Sequence, residues 1–199
     1  MTARLVVLAS GSGSTLQAVL EAAVDPRFGS EVVGAGTDRP GCPAMCRAAE
    51  AGVPTFAVPL ADYPDRDGWN AALAEAIAAH RPDLVLLAGF MRVLAPDTVS
   101  RFEMINTHPS LLPAFPGAHA IADALAYGVK ITGVTVHRVD AGVDTGPILA
   151  QAAVPVLDGD TADTLRQRIQ EVEKPLFLDT IRQLCRPRDV VDHRGDRSP

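Results

Sequence analysis

The chain has 199 residues, of which 47% are hydrophobic and 21% charged, so it is long enough to bury a substantial core and too apolar for a disordered protein. Its 18 Lys and Arg against 24 Asp and Glu give a formal net charge of −6, which argues against a nucleic-acid partner. No apolar run approaches the roughly 18 residues of a membrane span, and the N-terminus lacks a signal-peptide pattern, so we expect a cytoplasmic protein without a membrane partner.

The first half of the chain alternates short apolar runs with segments of helical periodicity, which is typical of strands joined by crossover helices. A buried strand at 5–9 runs into the turn Ser10-Gly-Ser-Gly-Ser-Thr15, and a helix follows. The order β-α-β-α-β-α-β predicts a Rossmann-like, mostly parallel sheet flanked by helices. The remaining elements of this half are strands near 32–35, 54–58 and 84–88, with helices over 43–51 and around 69–77.

The second half of the chain has a different pattern. A short strand ends at Asn106, and a proline-rich loop follows over 108–117. Strands are predicted near 134–137 and 148–156, and they extend the sheet in antiparallel fashion. Apolar residues at helical spacing predict a long C-terminal helix over 161–184, which Asp160 or Thr161 would cap and Pro175 would kink.

The turn after the first strand is suited to an anion. Gly11 and Gly13 allow backbone N–H groups to approach a ligand, and the N-terminus of the next helix favours negative charge. Leu16 stands where a dinucleotide fingerprint has its third glycine, and the lysine of a P-loop is missing, so one phosphate is favoured over two. The hydroxyls of Ser14 and Thr15 add donors. A plain strand-to-helix turn with a serine cap is the alternative.

A second candidate site is the segment Asn106-Thr107-His108-Pro109. Residues two apart in an extended segment project to the same side, and Pro109 favours that geometry for His108. An amide N–H and an imidazolium N–H aimed at one point would stabilise an oxyanion. The alternative is structural, with Asn106 bonded to loop backbone and His108 filling a turn.

The loop that starts at Asp140 contains two glycines and a proline, so it bends between two strands and places carboxylates at a sheet edge. A carboxylate near His108 would favour the protonated ring, and Asp144 and Asp140 are the candidates, although one of them is expected to be an ordinary turn acid. His119 and His137 could line the same cavity, but a histidine in a strand, such as His137, is more often a packed or hydrogen-bonded residue than a catalyst.

Covalent catalysis and metal binding find little support in the sequence. There is no G-x-S-x-G motif, and none of the three cysteines lies near these loops. Cys42 and Cys46 form a C-x-x-x-C with no second pair of ligands nearby, so we expect no metal.

Four segments together closely resemble the phosphoribosylglycinamide formyltransferases, a family of folate-dependent formyltransferases. They are SGSGSTLQ at 10–17, AGFMRVL at 88–94, NTHPSLLP at 106–113 and DAGVDTGP at 140–147. Members of this family transfer the formyl group of 10-formyltetrahydrofolate to the amine of glycinamide ribonucleotide in de novo purine biosynthesis. The resemblance covers about residues 4–184 and implies the same reaction, with these two small molecules as substrates, the reduced folate as cosubstrate, and a monomer or homodimer.

The resemblance also implies a role for each matching position. Asn106, His108 and Asp144 match the catalytic trio. The residues that it implies for ribonucleotide binding are Gly13, Ser14, Thr15, Gln170 and Glu173. The residues that it implies for folate binding are Arg66, Met91, Arg92, Val93, Leu94, Asn106, Val139, Asp140, Ala141, Gly142 and Val143.

The expected organisation is a single formyltransferase domain over 1–185, followed by a flexible tail over 186–199. Residues 1–103 would form a nucleotide-phosphate-binding half, and 104–185 a catalytic and folate-binding half. Two departures from the family pattern stand out. Thr15 replaces an asparagine, and the segment 101–105 is about two residues shorter than usual.

Four other functions fit parts of the sequence pattern. A formyltetrahydrofolate hydrolase uses a similar Asn-x-His and Asp loop but carries an extra N-terminal domain, whereas this chain opens with its first strand. A methionyl-tRNA formyltransferase needs a C-terminal tRNA-binding domain and a basic surface, and 199 residues with a net charge of −6 leave room for neither. A nicotinamide oxidoreductase would use Asp38 as its ribose ligand, but Leu16 argues against it. A nucleotide sensor would not need Asn106, His108 and Asp144 together.

Overall fold

The computed structural model describes residues 2–186, which form one seven-stranded sheet of order β3-β2-β1-β4-β5-β6-β7. The strands are β1 Ala3–Leu8, β2 Ser30–Thr37, β3 Thr55–Ala57, β4 Leu84–Leu87, β5 Met104–His108, β6 Ile131–Arg138 and β7 Ile148–Pro155. The helices are α1 Ser14–Ala23, α2 Pro43–Glu50, α3 Arg66–Ala78, α4 Pro96–Ser100, α5 Ala120–Tyr127 and α6 Ala162–Cys185.

The predicted fold class is confirmed. Strands β1 to β5 are parallel to one another, whereas β6 pairs antiparallel with both β5 and β7. The long C-terminal helix is present as α6, and Thr161 caps it by accepting a hydrogen bond from the Thr164 N–H. This helix continues through Pro175.

The helices cover the sheet on both faces. Helices α1, α2 and α6 pack on one face, where Leu16 is fully buried among strand residues such as Leu5 and Ile105. Helix α3 packs on the other face and buries Trp69, whose indole N–H donates to the Val58 carbonyl at 2.8 Å. Because both faces of the central strands are covered, a ligand can reach these strands only where they end.

Several elements differ from the sequence-based expectation. Helices α4 and α5 were not predicted, and β6 begins at Ile131 rather than 134. Helix α5 has only eight residues, too few to be stable alone, and it is held by packing against α6. The shortened segment 101–105 still brings Asn106 into register with Leu87 of β4. Of the predicted tail, 187–199 lies outside the described residues.

Within residues 2–186, no helix combines the length and the apolar character needed to cross a lipid bilayer.

Candidate active site

The polar residues singled out in the sequence gather at the carboxyl ends of the strands. In the order β2-β1-β4, the direction of chain progression reverses between β1 and β4, and ligands of open α/β sheets bind beside such a reversal. A cavity of about 370 Å³ opens at this edge. Its lining includes the predicted residues Met91, Arg92, Val93, Leu94, Asn106, His108, Val139, Asp140, Gly142, Val143 and Asp144.

Strand β5 places Asn106 and His108 on the same face of the sheet, as the alternation of a strand requires. Asn106 lies opposite His137 in the antiparallel pair of β5 and β6, and its Nδ2 is 3.2 Å from His137 Nε2. His108 Nδ1 is 3.2 Å from Asp144 Oδ2. The three residues predicted as a catalytic trio therefore lie in one continuous polar cluster, which also contains His137.

Asp144 connects the two histidines. Its Oδ2 faces His108 and accepts the Gly117 N–H at 2.8 Å, while its Oδ1 is 3.5 Å from His137 Nε2. Burial by itself would raise the pKa of Asp144, but hydrogen bonds from His137 and Gly117, together with the charges of the two imidazoles, lower that pKa below its ordinary value. The carboxyl group is therefore ionised at neutral pH.

The environment of His108 suits a protonated ring. Its side chain is buried, and its Nε2 lies 2.8 Å from the carbonyl oxygen of Phe115. Both ring nitrogens thus face oxygen acceptors, and only the doubly protonated imidazolium supplies an N–H to each. The Asp144 carboxylate thus faces the ring in a site largely shielded from water, with side chains 5% and 13% exposed.

His137 is both packed and hydrogen-bonded, and it lines the cavity, as was considered from the sequence. It is buried in β6, yet its Nε2 meets Asn106 and Asp144, and its Nδ1 lies 2.9 Å from the Arg138 carbonyl oxygen. A carbonyl accepts only, so Nδ1 carries a proton and fixes the ring orientation. The sequence could not predict its contacts with Asn106 and Asp144, because the pairing register of β5 and β6 was unknown.

The glycine turn leaves the start of α1 without a side-chain cap. Gly13 is the N-cap residue, with φ of +72°, so the serine cap considered from sequence is not formed. Helix α1 begins at Ser14. Because the N-cap residue Gly13 has no side chain, the first N–H groups of the helix have no side-chain acceptor there. Arg47, which sequence reasoning missed, donates from Nε to the Ser12 carbonyl at 2.9 Å and adds positive charge beside the turn.

Glu173 lies beside the glycine turn on the other face of β5. One of its carboxylate oxygens accepts the hydroxyls of Thr15 at 2.8 Å and Thr107 at 3.2 Å. Burial raises the pKa of Glu173, and the two hydroxyls and Lys174 offset only part of this effect. Gln170 is three residues earlier in α6, and is half-buried. Glu173 thus connects α6 to the glycine turn through Thr15, and the cavity lining includes none of the five predicted residues Gly13, Ser14, Thr15, Gln170 and Glu173.

The segment 89–94, which we call the 89–94 loop, is tied to the body of the protein. The Met91 N–H donates to Ser10 Oγ at 2.9 Å, and Arg92 Nε donates to Asp38 at 2.6 Å. Arg66 is not in the cavity lining, but its guanidinium donates to the Val93 carbonyl at 2.5 Å. Arg66 therefore acts on the cavity wall through Val93.

The loop that starts at Asp140 forms the opposite wall. Asp140 Oδ1 accepts the Gly142 N–H at 3.0 Å and the Thr145 hydroxyl at 2.8 Å, so this residue has the contacts of a turn acid. Ala141 is exposed and outside the lining. Among residues 2–186, no group of three or more His, Cys, Asp or Glu side chains is arranged to hold a metal ion.

Comparison with known proteins assigns the family. Residues 3–181 match the sequence profile of the family described as Formyl transferase. The chain belongs to the formyl transferase family. Relatives of this formyl transferase include the phosphoribosylglycinamide formyltransferase of Mycobacterium tuberculosis, which is 59% identical over 185 residues that cover 92% of this chain and 85% of the relative.

Two further relatives extend the comparison. The trifunctional purine biosynthetic protein adenosine-3 of Drosophila melanogaster is 45% identical over 87% of this formyl transferase and 13% of the longer protein. The crystal structure of glycinamide ribonucleotide transformylase 1 from Symbiobacterium toebii superimposes with a TM-score of 0.90 at 46% identity, covering 92% of this chain and 88% of that chain. The resemblance stated from sequence motifs is therefore confirmed.

The structure also argues against the oxidoreductase alternative for this formyl transferase. The side chain of Asp38 is completely buried and accepts hydrogen bonds from Ser10 and Arg92, so its carboxylate is not free to bind a ribose. One side chain of the cavity lining, Arg166, had no place in the sequence-based site, whereas His119 was expected to line this cavity. His119 and Arg166 are both exposed at its margin, and Arg166 comes from α6.

Proposed function

We propose that this formyl transferase transfers the formyl group of 10-formyltetrahydrofolate to the amine of glycinamide ribonucleotide in de novo purine biosynthesis. The observation that supports this best is the buried pair of His108 and Asp144 beside the Asn106 amide, at the wall of a cavity large enough for a pterin. The names of the relatives agree with this substrate pair.

The ribonucleotide would bind at the glycine turn. We infer that its phosphate contacts Gly13, Ser14 and Thr15 at the start of α1, where a helix N-terminus favours an anion. Gln170 and Glu173 would contact the sugar, since a buried carboxylate is a strong acceptor for hydroxyl groups. This placement brings the amine toward the Asn106 and His108 side of β5.

The folate would bind between the 89–94 loop and the loop over 139–143. Met91 and Val93 expose 62% and 53% of their surface there, and this apolar area suits an aromatic ring system. The 89–94 loop belongs to the proposed half 1–103, and the loop over 139–143 belongs to the proposed half 104–185. Both halves therefore contribute to this pocket. We retain 1–185 as one formyltransferase domain, and we infer cytoplasmic action as a monomer or homodimer.

In the proposed reaction, the neutral amine of the ribonucleotide attacks the formyl carbon, and a C–N bond forms. The carbonyl oxygen becomes an oxyanion, which hydrogen bonds from Asn106 and protonated His108 stabilise. The bond from the formyl carbon to the folate nitrogen then breaks, the amine loses a proton, and the folate nitrogen gains one. Asp144 supports the charge on His108 and helps organise the proton transfer through water. For His108 Nε2 to donate to the oxyanion, it must exchange its contact with the Phe115 carbonyl for the substrate oxygen.

The decisive experiment mixes the purified protein with 10-formyltetrahydrofolate in the presence and absence of glycinamide ribonucleotide. We expect loss of the formyl group that depends on the ribonucleotide, together with stoichiometric formylated product. Formyl loss at the same rate without the ribonucleotide would instead indicate the hydrolase. No loss in either mixture would reject the proposed substrate pair.

Replacement of Asp144 by asparagine should lower kcat on the order of tenfold or more, because the charge that stabilises protonated His108 is removed. The folded state lowers the pKa of Asp144, so the carboxylate contributes stability above the unfolded pKa of about 3.9, and this contribution is lost as pH falls through the folded value. The variant should therefore be less stable than the wild type at pH 7, with a difference that shrinks in acid. Steady-state kinetics and urea denaturation at pH 7 and pH 3 measure both effects, and wild-type turnover at neutral pH would contradict the role.

Replacement of Glu173 by glutamine should raise the KM for glycinamide ribonucleotide about tenfold, because a charged acceptor is lost. The KM for the folate should stay unchanged. Burial raises the pKa of Glu173, so the free energy of unfolding of the wild type falls as pH rises through this raised pKa. The uncharged variant should lose less unfolding free energy between pH 5 and pH 8. Initial-rate kinetics and thermal unfolding test these effects, and equal changes in both KM values would refute the assignment.

A further inference from the structure

Three neighbouring strand ends meet in one buried hydrogen-bonded cluster. Asp38 follows β2, Ser10 follows β1, and the 89–94 loop follows β4, and these strands are adjacent in the order β2-β1-β4. Asp38 and Ser10 lie behind the wall of the cavity rather than in its lining, whereas the residues of the 89–94 loop belong to the lining. The cluster is outside the group of Asn106, His108, His137 and Asp144.

Both oxygens of the Asp38 carboxylate are in use. Ser10 Oγ donates to Oδ1 at 2.5 Å, and Arg92 Nε donates to Oδ2 at 2.6 Å. The Ser10 hydroxyl also accepts the Met91 N–H at 2.9 Å, so a chain of donors runs from the loop backbone through Ser10 to the carboxylate. Arg39 is the other nearby cation, with its Nε 4.0 Å from Oδ2.

The Asp38 carboxylate depends on these contacts because it is buried. The Asp38 side chain is 0% exposed, whereas that of Arg92 is 31% exposed. A buried carboxylate is costly unless charged or hydrogen-bonded partners surround it, so displacement of the 89–94 loop would leave this charge without its main partners. Asp38 therefore resists movement of both the backbone of Met91 and the side chain of Arg92.

We propose that Asp38 is a positioning residue for the formyl-donor pocket, which holds the 89–94 loop through Ser10 and Arg92. This inference rests on the proposed function. Arg92 uses Nε for Asp38 and makes no other side-chain hydrogen bond among residues 2–186, so its terminal nitrogens are available to an anion in the cavity. The glutamate carboxylates of a folate are anions of that kind.

The cluster requires an acid at position 38 and not merely a polar residue. Ser10 and Arg92 each present a hydrogen to a different oxygen, and a carboxylate accepts both. An asparagine has one acceptor oxygen and one NH2 group. If its oxygen faces Arg92, its NH2 group faces the Ser10 hydroxyl, which then has no acceptor for its own proton at that place. If the amide is rotated so that its oxygen faces Ser10, its NH2 group faces the Arg92 N–H, and two donors are left without an acceptor.

The chain contains a built-in reporter of the loop. Trp69 is the single tryptophan, it is fully buried, and its ring stacks on Phe90 of the 89–94 loop with ring centroids 6.5 Å apart and planes 8° apart. Displacement of the loop would uncover the indole. Quenching of its fluorescence by acrylamide therefore reports the loop without any substrate.

The test compares Asp38→Asn and Ser10→Ala with Asp160→Asn. Asp160 is a matched control, because its side chain is 5% exposed and pairs with Arg168, a partner 24% exposed, away from the 89–94 loop. We expect Asp38→Asn to raise the KM for 10-formyltetrahydrofolate about tenfold and to leave the KM for glycinamide ribonucleotide within about twofold. Acrylamide quenching of Trp69 should increase in Asp38→Asn and not in Asp160→Asn.

Ser10→Ala removes the link to Met91 but keeps the ion pair, so it should raise the folate KM about threefold. It serves as the test if Asp38→Asn does not fold. Equal rises in both KM values, or wild-type KM values with unchanged quenching, would overturn the proposal. Absence of formyl transfer in the wild type would overturn the proposed function instead, and the quenching comparison would still decide whether Asp38 holds the loop.

Discussion

Replacement of His108 by alanine should lower kcat about a thousandfold, with little change in either KM. The substitution removes one oxyanion donor, a loss that costs about 3–4 kcal/mol in comparable sites, and it also removes the positive charge that Asp144 supports. Because the lost interaction strengthens only in the transition state, substrate binding should be preserved. Single-turnover kinetics with saturating substrates measure the chemical step directly.

A matched control is available for this substitution. His80 is a half-buried histidine whose ring also contacts a backbone carbonyl, with Nδ1 2.9 Å from the Val33 oxygen, but it lies outside the cavity lining. His80→Asn should retain wild-type kcat. A loss of less than about tenfold in His108→Ala would show that the ring does not stabilise the oxyanion.

The second large effect is expected for Asn106. Its replacement by alanine should lower kcat on the order of a hundredfold, because one neutral oxyanion donor is lost while the charged donor remains. Replacement by aspartate should lower kcat at least as much, since a second carboxylate beside Asp144 would repel the oxyanion. If Asn106→Asp were more active than Asn106→Ala, the amide would not act as a donor.

Much of the fold could be predicted because its signals are local. The apolar run of β1, the glycine turn and the start of α1 follow one another within a few residues, and the stripe of α6 is long enough to be distinctive. Helix α5 was missed because eight residues give a weak pattern, and its packing against α6 is a tertiary effect.

The common orientation of Asn106 and His108 could be predicted, because the two residues are two apart in one strand and their side chains suit the same chemistry. His137 and Asp38 were not assigned their contacts, because each depends on a neighbour in space. The position of His137 opposite Asn106 follows from the strand register, and the burial of Asp38 follows from the packing of three strand ends. Arg47 was missed for the same reason, since it reaches the glycine turn from α2.

The pairing of Asn106 with His137 occurs where the sheet changes from parallel to antiparallel, and it makes the chemistry sensitive to strand alignment. A slip of β6 by one residue would turn His137 to the opposite face while preserving most ladder hydrogen bonds. A single-residue insertion near 133 would thus yield a folded but inactive protein. Length changes in surface loops should be far better tolerated than any within β6.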